Sequence, residues 1–187
     1  MVRKVLVVLS AAAMLLIALP ATADSGSITD KKGDATGCLE GAKADCDIVA
    51  AAWGHRSHHR LMHSVTVAGT LGQASGHGAE PRLMINVPGQ KFDNPTCDYF
   101  LELTPPGVGP NTSDQWKWYV KTCQNTGAQI RGAASSVYPN THTLRLVFKR
   151  KLIGSPSHYG WQWVMPGDGD NPPYDEAPNS GYKRHNI

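Results

Sequence analysis

Apolar and polar residues alternate with a period of two along much of the chain, which predicts strands with one face buried and the other wet. The candidate strands are residues 47–53, 60–67, 82–87, 97–103, 116–122, 129–137, 143–149 and 159–164. In the fourth run Tyr99, Leu101 and Leu103 share one face, opposite Asp98 and Glu102. In the seventh, Leu144, Leu146 and Phe148 face inward while Arg145 and Lys149 face outward. Pro81, Pro88, Pro95, Pro105, Pro106, Pro139 and Pro156 fall between the runs, where a missing N–H costs no ladder hydrogen bond.

The stretch 47–67 reads two ways. Ile48-Val49-Ala50-Ala51-Ala52-Trp53 is alanine-rich enough to open a helix, but Gly54 and the polar residues after it favour a turn between two strands. About eight short strands, frequent turns and no long helical pattern predict an all-β fold. The expected architecture is a single antiparallel β-sandwich, jelly-roll-like, over residues 34–187.

Ahead of that domain, Met1-Val2-Arg3-Lys4 leads into an apolar run over 5–19 and then Pro20-Ala21-Thr22-Ala23-Asp24. A basic start, a short apolar run and small residues before the cleavage point predict a signal peptide over 1–23, removed after Ala23. The run is too short to be a membrane span, and none is expected in the mature protein. Residues 24–33 are polar and Gly/Ser-rich, and read as a flexible lead-in. The expected location is secreted, outside the cell.

Charge changes the picture little. The 187 residues carry 18 Lys and Arg against 15 Asp and Glu, and loss of Arg3 and Lys4 would leave 16 against 15. That near balance gives no ground to expect nucleic acid or an anionic surface as partner. The cysteines matter more: Cys38, Cys46, Cys97 and Cys123. In an oxidising compartment they predict two disulfides, paired locally as Cys38–Cys46 and Cys97–Cys123. A four-thiolate zinc site is disfavoured because no close-spaced Cys-x-x-Cys pair is present.

Three clusters carry candidate chemistry. His55, His58, His59 and His63 stand within nine positions and could bind zinc, copper or nickel through neutral imidazole. On a helix, His55, His59 and His63 would line one face; on a hairpin, His55, His58 and His59 would crowd the turn and His63 would point inward with Leu61, Val65 and Val67. The plainer alternative is a solvated turn plus one hydrogen-bonded core histidine. The second cluster is acidic: Asp34 and Asp47 near the start, Asp168, Asp170 and Asp175 near the end. Asp/Gly/Asn loops supply the oxygens of a structural calcium site, the one cofactor expected, although ordinary Asx turns use the same residues. Chain ends often lie together, which would bring Asp34 or Asp47 to Asp175.

The third cluster is aromatic. Trp116 and Trp118 share a face with Val120, and Tyr159, Trp161 and Trp163 share another. Exposed, Trp161 and Trp163 would offer a stacking platform for a ligand; core packing is the stronger reading. Tyr119, on the polar face with Lys117 and Lys121, is the better candidate for an outside contact. Asn111-Thr112-Ser113 is a formal glycosylation sequon. No Gly-x-Ser-x-Gly string is present, and the four glutamates stand in no recognisable catalytic setting, so no catalytic residue is assigned.

Asp30-Lys31-Lys32-Gly33-Asp34, Asp47-Ile48 with Leu61-Met62-His63, Tyr159-Gly160-Trp161 and the run from Tyr174 to Gly181 together resemble a group of secreted actinobacterial proteins. Those look like β-sandwiches of the broad DOMON and family-9 carbohydrate-binding type. The resemblance implies ligand binding, of sugars or in some members of haem, and structural calcium in some; it does not imply catalysis. For haem, Met62, Met84 and His63 are the axial candidates. The expected function is a secreted, non-catalytic module binding a glycan or other cell-surface component. The alternatives are a metal-binding protein using the 55–63 histidines and, last, a secreted hydrolase.

Overall fold

The computed structural model describes residues 24–36, 38, 43–71, 80–89, 97–104, 106–107, 111–124, 127–166, 175–179 and 181–187. Each of the eight alternating runs forms a strand: β2 (Ile48–Ser57), β3 (Arg60–Val67), β4 (Arg82–Asn86), β5 (Tyr99–Thr104), β6 (Lys117–Thr122), β7 (Ile130–Asn140), β8 (Thr143–Lys149) and β9 (His158–Met165). Three short strands complete the described set: β1 (Gly26–Thr29), β10 (Asp175–Ala177) and β11 (Lys183–Asn186). β1 lies inside the stretch expected to be a flexible lead-in, because its backbone pairs with β2 from Gly26↔Trp53 to Thr29↔Ala50. The alanine-rich segment is strand, and Gly54 sits within it rather than in a turn; the turn is His58-His59, with Ser57 paired to Arg60. Among the described residues no helix is long and apolar enough to cross a membrane.

The all-β, antiparallel class is as expected. The eleven described strands form one hydrogen-bonded path, β1-β2-β3-β8-β7-β6-β5-β4-β9-β10, with β11 also on β9. The path curls nearly into a barrel. β7 makes the corner: residues 130–134 pair with β6 and residues 135–140 with β8. On its free side β9 carries β10 along Trp163–Met165 and β11 along His158–Trp161, end to end.

The inward rows are those the alternation marks. Leu61, His63, Val65 and Val67 of β3 and Leu144, Leu146 and Phe148 of β8 are buried, as are Trp118, Val120, Tyr159, Trp161 and Trp163 from the other half. Both disulfides pair locally as expected. Cys97–Cys123 joins the residues just before β5 and just after β6, with Cα atoms 5.7 Å apart. Cys38–Cys46 ties the segment ahead of β2, with Cα atoms 6.4 Å apart.

The edges of the curled sheet, β1 and β2 on one side and β10 and β11 on the other, are joined by side chains and single backbone contacts. Asp24 N–H donates to Asn186 O at 3.3 Å, and Asn186 N–H returns a bond to Asp24 Oδ1 at 3.1 Å. Further along, Ile48 N–H donates to Asp175 Oδ2 at 2.5 Å. Trp53 and Trp161 pack across this seam with ring centroids 5.3 Å apart. A seam without a regular ladder must satisfy its polar groups with side chains, and the aspartates around Asp175 and the histidines around His185 both lie on it.

Candidate functional sites along the seam

Asp34 follows a Gly33 turn after β1, Asp47 immediately precedes β2, and Asp175 opens β10. One carboxylate oxygen from each lies within 4.8 Å of the other two. Asp47 and Asp175 are almost fully buried, at 2% and 7% exposure. Backbone N–H groups anchor them: Gly33 on Asp47 Oδ2 at 2.8 Å, Ile48 on Asp175 Oδ2, and Glu176 on Asp175 Oδ1 at 2.8 Å. Asp30 joins the group through Asn179 Nδ2, which donates to Asp30 Oδ1 at 2.9 Å and Asp34 Oδ2 at 3.1 Å.

Three shielded oxygens, Asp30 Oδ2, Asp34 Oδ1 and Asp47 Oδ1, have no hydrogen-bond partner among the described residues. Burial, with the nearby charges of Asp30 and Asp34, raises Asp175 to about 7; burial raises Asp30 as well. A hard divalent cation resolves both problems together, since calcium takes six to eight oxygens at about 2.3–2.6 Å and favours ionised carboxylates. The fit is to calcium rather than to a softer metal, because the donors are all oxygen. Asp168 and Asp170 lie outside the described residues.

The histidine row divides. His58 and His59 form the exposed β2–β3 turn, away from His63, which is fully buried. His63 Nε2 is 2.6 Å from Tyr159 Oη, and the same hydroxyl is 2.7 Å from Nδ1 of His185, a residue not singled out from the sequence. His185 Nε2 lies 3.0 Å from His55 Nε2 and 3.2 Å from Asp24 Oδ1. Burial holds His185 down at about 4 and pushes His63 well below the usual imidazole value. Both rings are therefore neutral near pH 7, and the His185–Asp24 contact is a hydrogen bond rather than an ion pair. One proton arrangement satisfies the chain: His63 Nε2–H donates to Tyr159, Tyr159 donates to His185 Nδ1, and His185 Nε2–H points at His55 and Asp24. It leaves only His63 Nδ1 unpaired, as a bare acceptor. The four histidines of the sequence cluster thus share no common site.

The aromatic candidates are core residues. Trp161 and Trp163 are fully buried, so neither offers a platform, and their indole N–H groups have no partner among the described residues. Tyr119 is 7% exposed and is not an outside contact. The exposed tryptophan is Trp116, at 55%, because β6 begins one residue later and Trp116 does not continue the inward row of Trp118 and Val120. Asn111 is buried, its amide donating to Thr104 O and Gln115 O at 2.9 Å each, so the sequon is closed in the fold. Met62 and Met84 alternate with inward residues and face away from His63, which gives haem no axial pair.

Comparison with family models, with curated proteins and with solved structures gave no match. A further feature is a cleft of about 540 Å³ where β2 and β8 end and β3 begins, lined by Ser57, His59, Arg60, Lys149, Lys151 and Ser155 together with Arg150. Arg60 pairs with Lys149 across the β3–β8 ladder, which sets both side chains on the same face of the sheet. Arg150 is spent on structure: Nε donates to Pro156 O at 3.0 Å and a terminal nitrogen to Ser155 O at 3.2 Å. Among the described residues no carboxylate pairs with Arg60, Lys149 or Lys151. Sequence reading passed over this cleft because net charge averages it against the acidic seam.

Proposed function

We propose that this protein is an exported, non-catalytic binding domain whose ligand is an anionic glycan or other polyanionic surface component, held at the basic cleft. The observation that carries the reading is the grouping of Arg60, Lys149 and Lys151 around one concavity with the hydroxyls of Ser57 and Ser155. Cations at a strand end, with no acid paired to them among the described residues, suit phosphate or uronate groups; guanidinium adds a planar fork for two oxygens. The disulfides fit an oxidising compartment, and the basic-apolar-small pattern of residues 1–23 supports export. A calcium ion at Asp34, Asp47 and Asp175 would serve as a structural cofactor locking the seam.

Retention of the purified protein on immobilised phosphate- or uronate-bearing polysaccharide, against neutral glycans, tests the proposal. Binding that weakens with salt and falls about tenfold in Lys149→Glu/Lys151→Glu is expected, because exposed charge contacts are screened over about 8–10 Å. No retention on any polysaccharide would overturn it.

A further inference from the structure

Resting on the export reading above, we infer that the peptide bond after Ala23 is a processing site whose position the fold requires: cutting there makes Asp24 the first residue, and Asp24 is the clasp that closes the curled sheet. Asp24 stands directly after Ala21-Thr22-Ala23, whose small residues a leader peptidase of an exporting cell reads. Its carboxylate faces four nitrogen donors. Oδ1 accepts from Trp53 Nε1 at 3.3 Å and from the Asn186 N–H at 3.1 Å, and lies 3.2 Å from His185 Nε2. Oδ2 accepts from Asn186 Nδ2 at 3.2 Å. Four donors fill the acceptor capacity of a carboxylate. A chain end is loosely held unless something ties it down, and here both edges of the sheet do so.

The donors come from the two sides of the seam. Trp53 belongs to β2, and His185 and Asn186 belong to β11. One edge of β11 is spent on β9, and Asp24 meets the other: its N–H donates to Asn186 O at 3.3 Å while the Asn186 N–H returns to its carboxylate. Gly26 makes room for this arrangement. A Cβ there would stand 2.7 Å from the Trp53 ring, so glycine lets the indole lie against the start of β1 and reach Asp24. Lys183 of β11 covers the same indole, its Nζ 5.7 Å from the ring centroid. In the cut, water adds across the C–N bond: Ala23 leaves with the new carboxylate, and Asp24 keeps its nitrogen, which takes up a proton as an α-ammonium near neutral pH. The N–H facing Asn186 O then belongs to a cation, and such bonds are roughly twice as strong as neutral ones. A cut one residue later would carry the clasp away with the leader.

The test has two arms. The full chain with its leader is expressed in a secreting bacterial host, and intact-mass spectrometry of the protein in the medium is expected to find Asp24 first. The mature chain is then compared by hydrogen exchange with a chain starting at Ser25 and with Asp24→Ala. Exchange over residues 183–187 is expected to rise about tenfold or more in both, with residues 117–122 unchanged, because the bonds lost are local to the seam. Asp24→Asn, which keeps the volume and one acceptor oxygen, should fall between. A secreted chain with another first residue, or an uncut chain kept in the cell, would overturn the processing site, and the second would take the export reading with it. Unchanged exchange at 183–187 in the Ser25 chain and in Asp24→Ala, or an equal rise at 117–122, would overturn the clasp.

Discussion

The backbone N–H of Ile48 donates to Oδ2 of Asp175 across 2.5 Å and 127 positions of sequence. This one bond ties the start of β2 to the start of β10, and it draws Asp175 into a group of carboxylates that burial would otherwise neutralise. A cation bound by these carboxylates would therefore be linked to folding.

Calcium should raise the melting temperature. At about 10 mM, above the 10⁻⁴–10⁻³ M dissociation constants of extracellular modules, linkage gives roughly 1.4–2.7 kcal/mol. That corresponds to about 3–10 °C for a chain of this size. Asp175→Asn should abolish the increment, because Asn offers one acceptor where two N–H groups now bind. Scanning calorimetry with calcium and with chelator checks it; an equal calcium shift in the variant would remove calcium from Asp175.

The pH dependence of the chelated protein follows from Asp175. Its folded value of about 7 lies above the ordinary 3.8, so between those values the folded state holds the extra proton. Stability from this group is therefore full below about 4 and is lost as pH rises through about 7. His185 acts oppositely: depressed to about 4 from 6.5, it lends stability that is lost as pH falls through that interval. The two are separated by comparing wild type with Asp175→Asn in chelator. Wild type should lose ground to the variant by on the order of a few kcal/mol between pH 4 and 7. Parallel curves would contradict the assignment.

Tyr159→Phe should destabilise by about 2–4 kcal/mol, because it strands His63 Nε2 and His185 Nδ1 in a dry interior while preserving ring volume. Urea denaturation measures it. A loss below about 1 kcal/mol would mean that the hydroxyl is not shared by both rings.

The disulfides should rank by loop length. Their sequence separations are 26 for Cys97–Cys123 and 8 for Cys38–Cys46. In the chain-entropy account, replacing both cysteines of the longer loop by Ala costs about 1 kcal/mol more than doing so in the shorter. Denaturation of the two double variants gives the order, and a reversed order would point to native contacts rather than loop entropy.

How much of this was readable in advance differs by element. The eight strands from β2 to β9 were legible because period-two alternation is local: Leu144, Leu146 and Phe148 face inward wherever the strand lies. β1, β10 and β11 were not, since strands of three or four polar-rich residues take their pairing from β2 and β9 rather than from any pattern of their own. The aspartates were recognisable as cation-ligand chemistry, and their type and loop setting pointed to calcium. The meeting of Asp34 and Asp47 with Asp175, expected only from the general nearness of chain ends, is brought about by sheet curvature, which no single segment encodes.

The histidines show the same division more sharply. Sequence placed His63 inward, because it falls in phase with Leu61, Val65 and Val67. It gave no hint of His185, which becomes a partner only when β11 lies on β9 and the two edges of the sheet approach. Residue type, periodicity and cysteine spacing thus determined the strands, the inward rows and the class of chemistry, because each acts over a few neighbouring residues. Tertiary structure alone decided which groups meet, because the seam joins residues more than a hundred positions apart: His55 with His185, and Ile48 with Asp175.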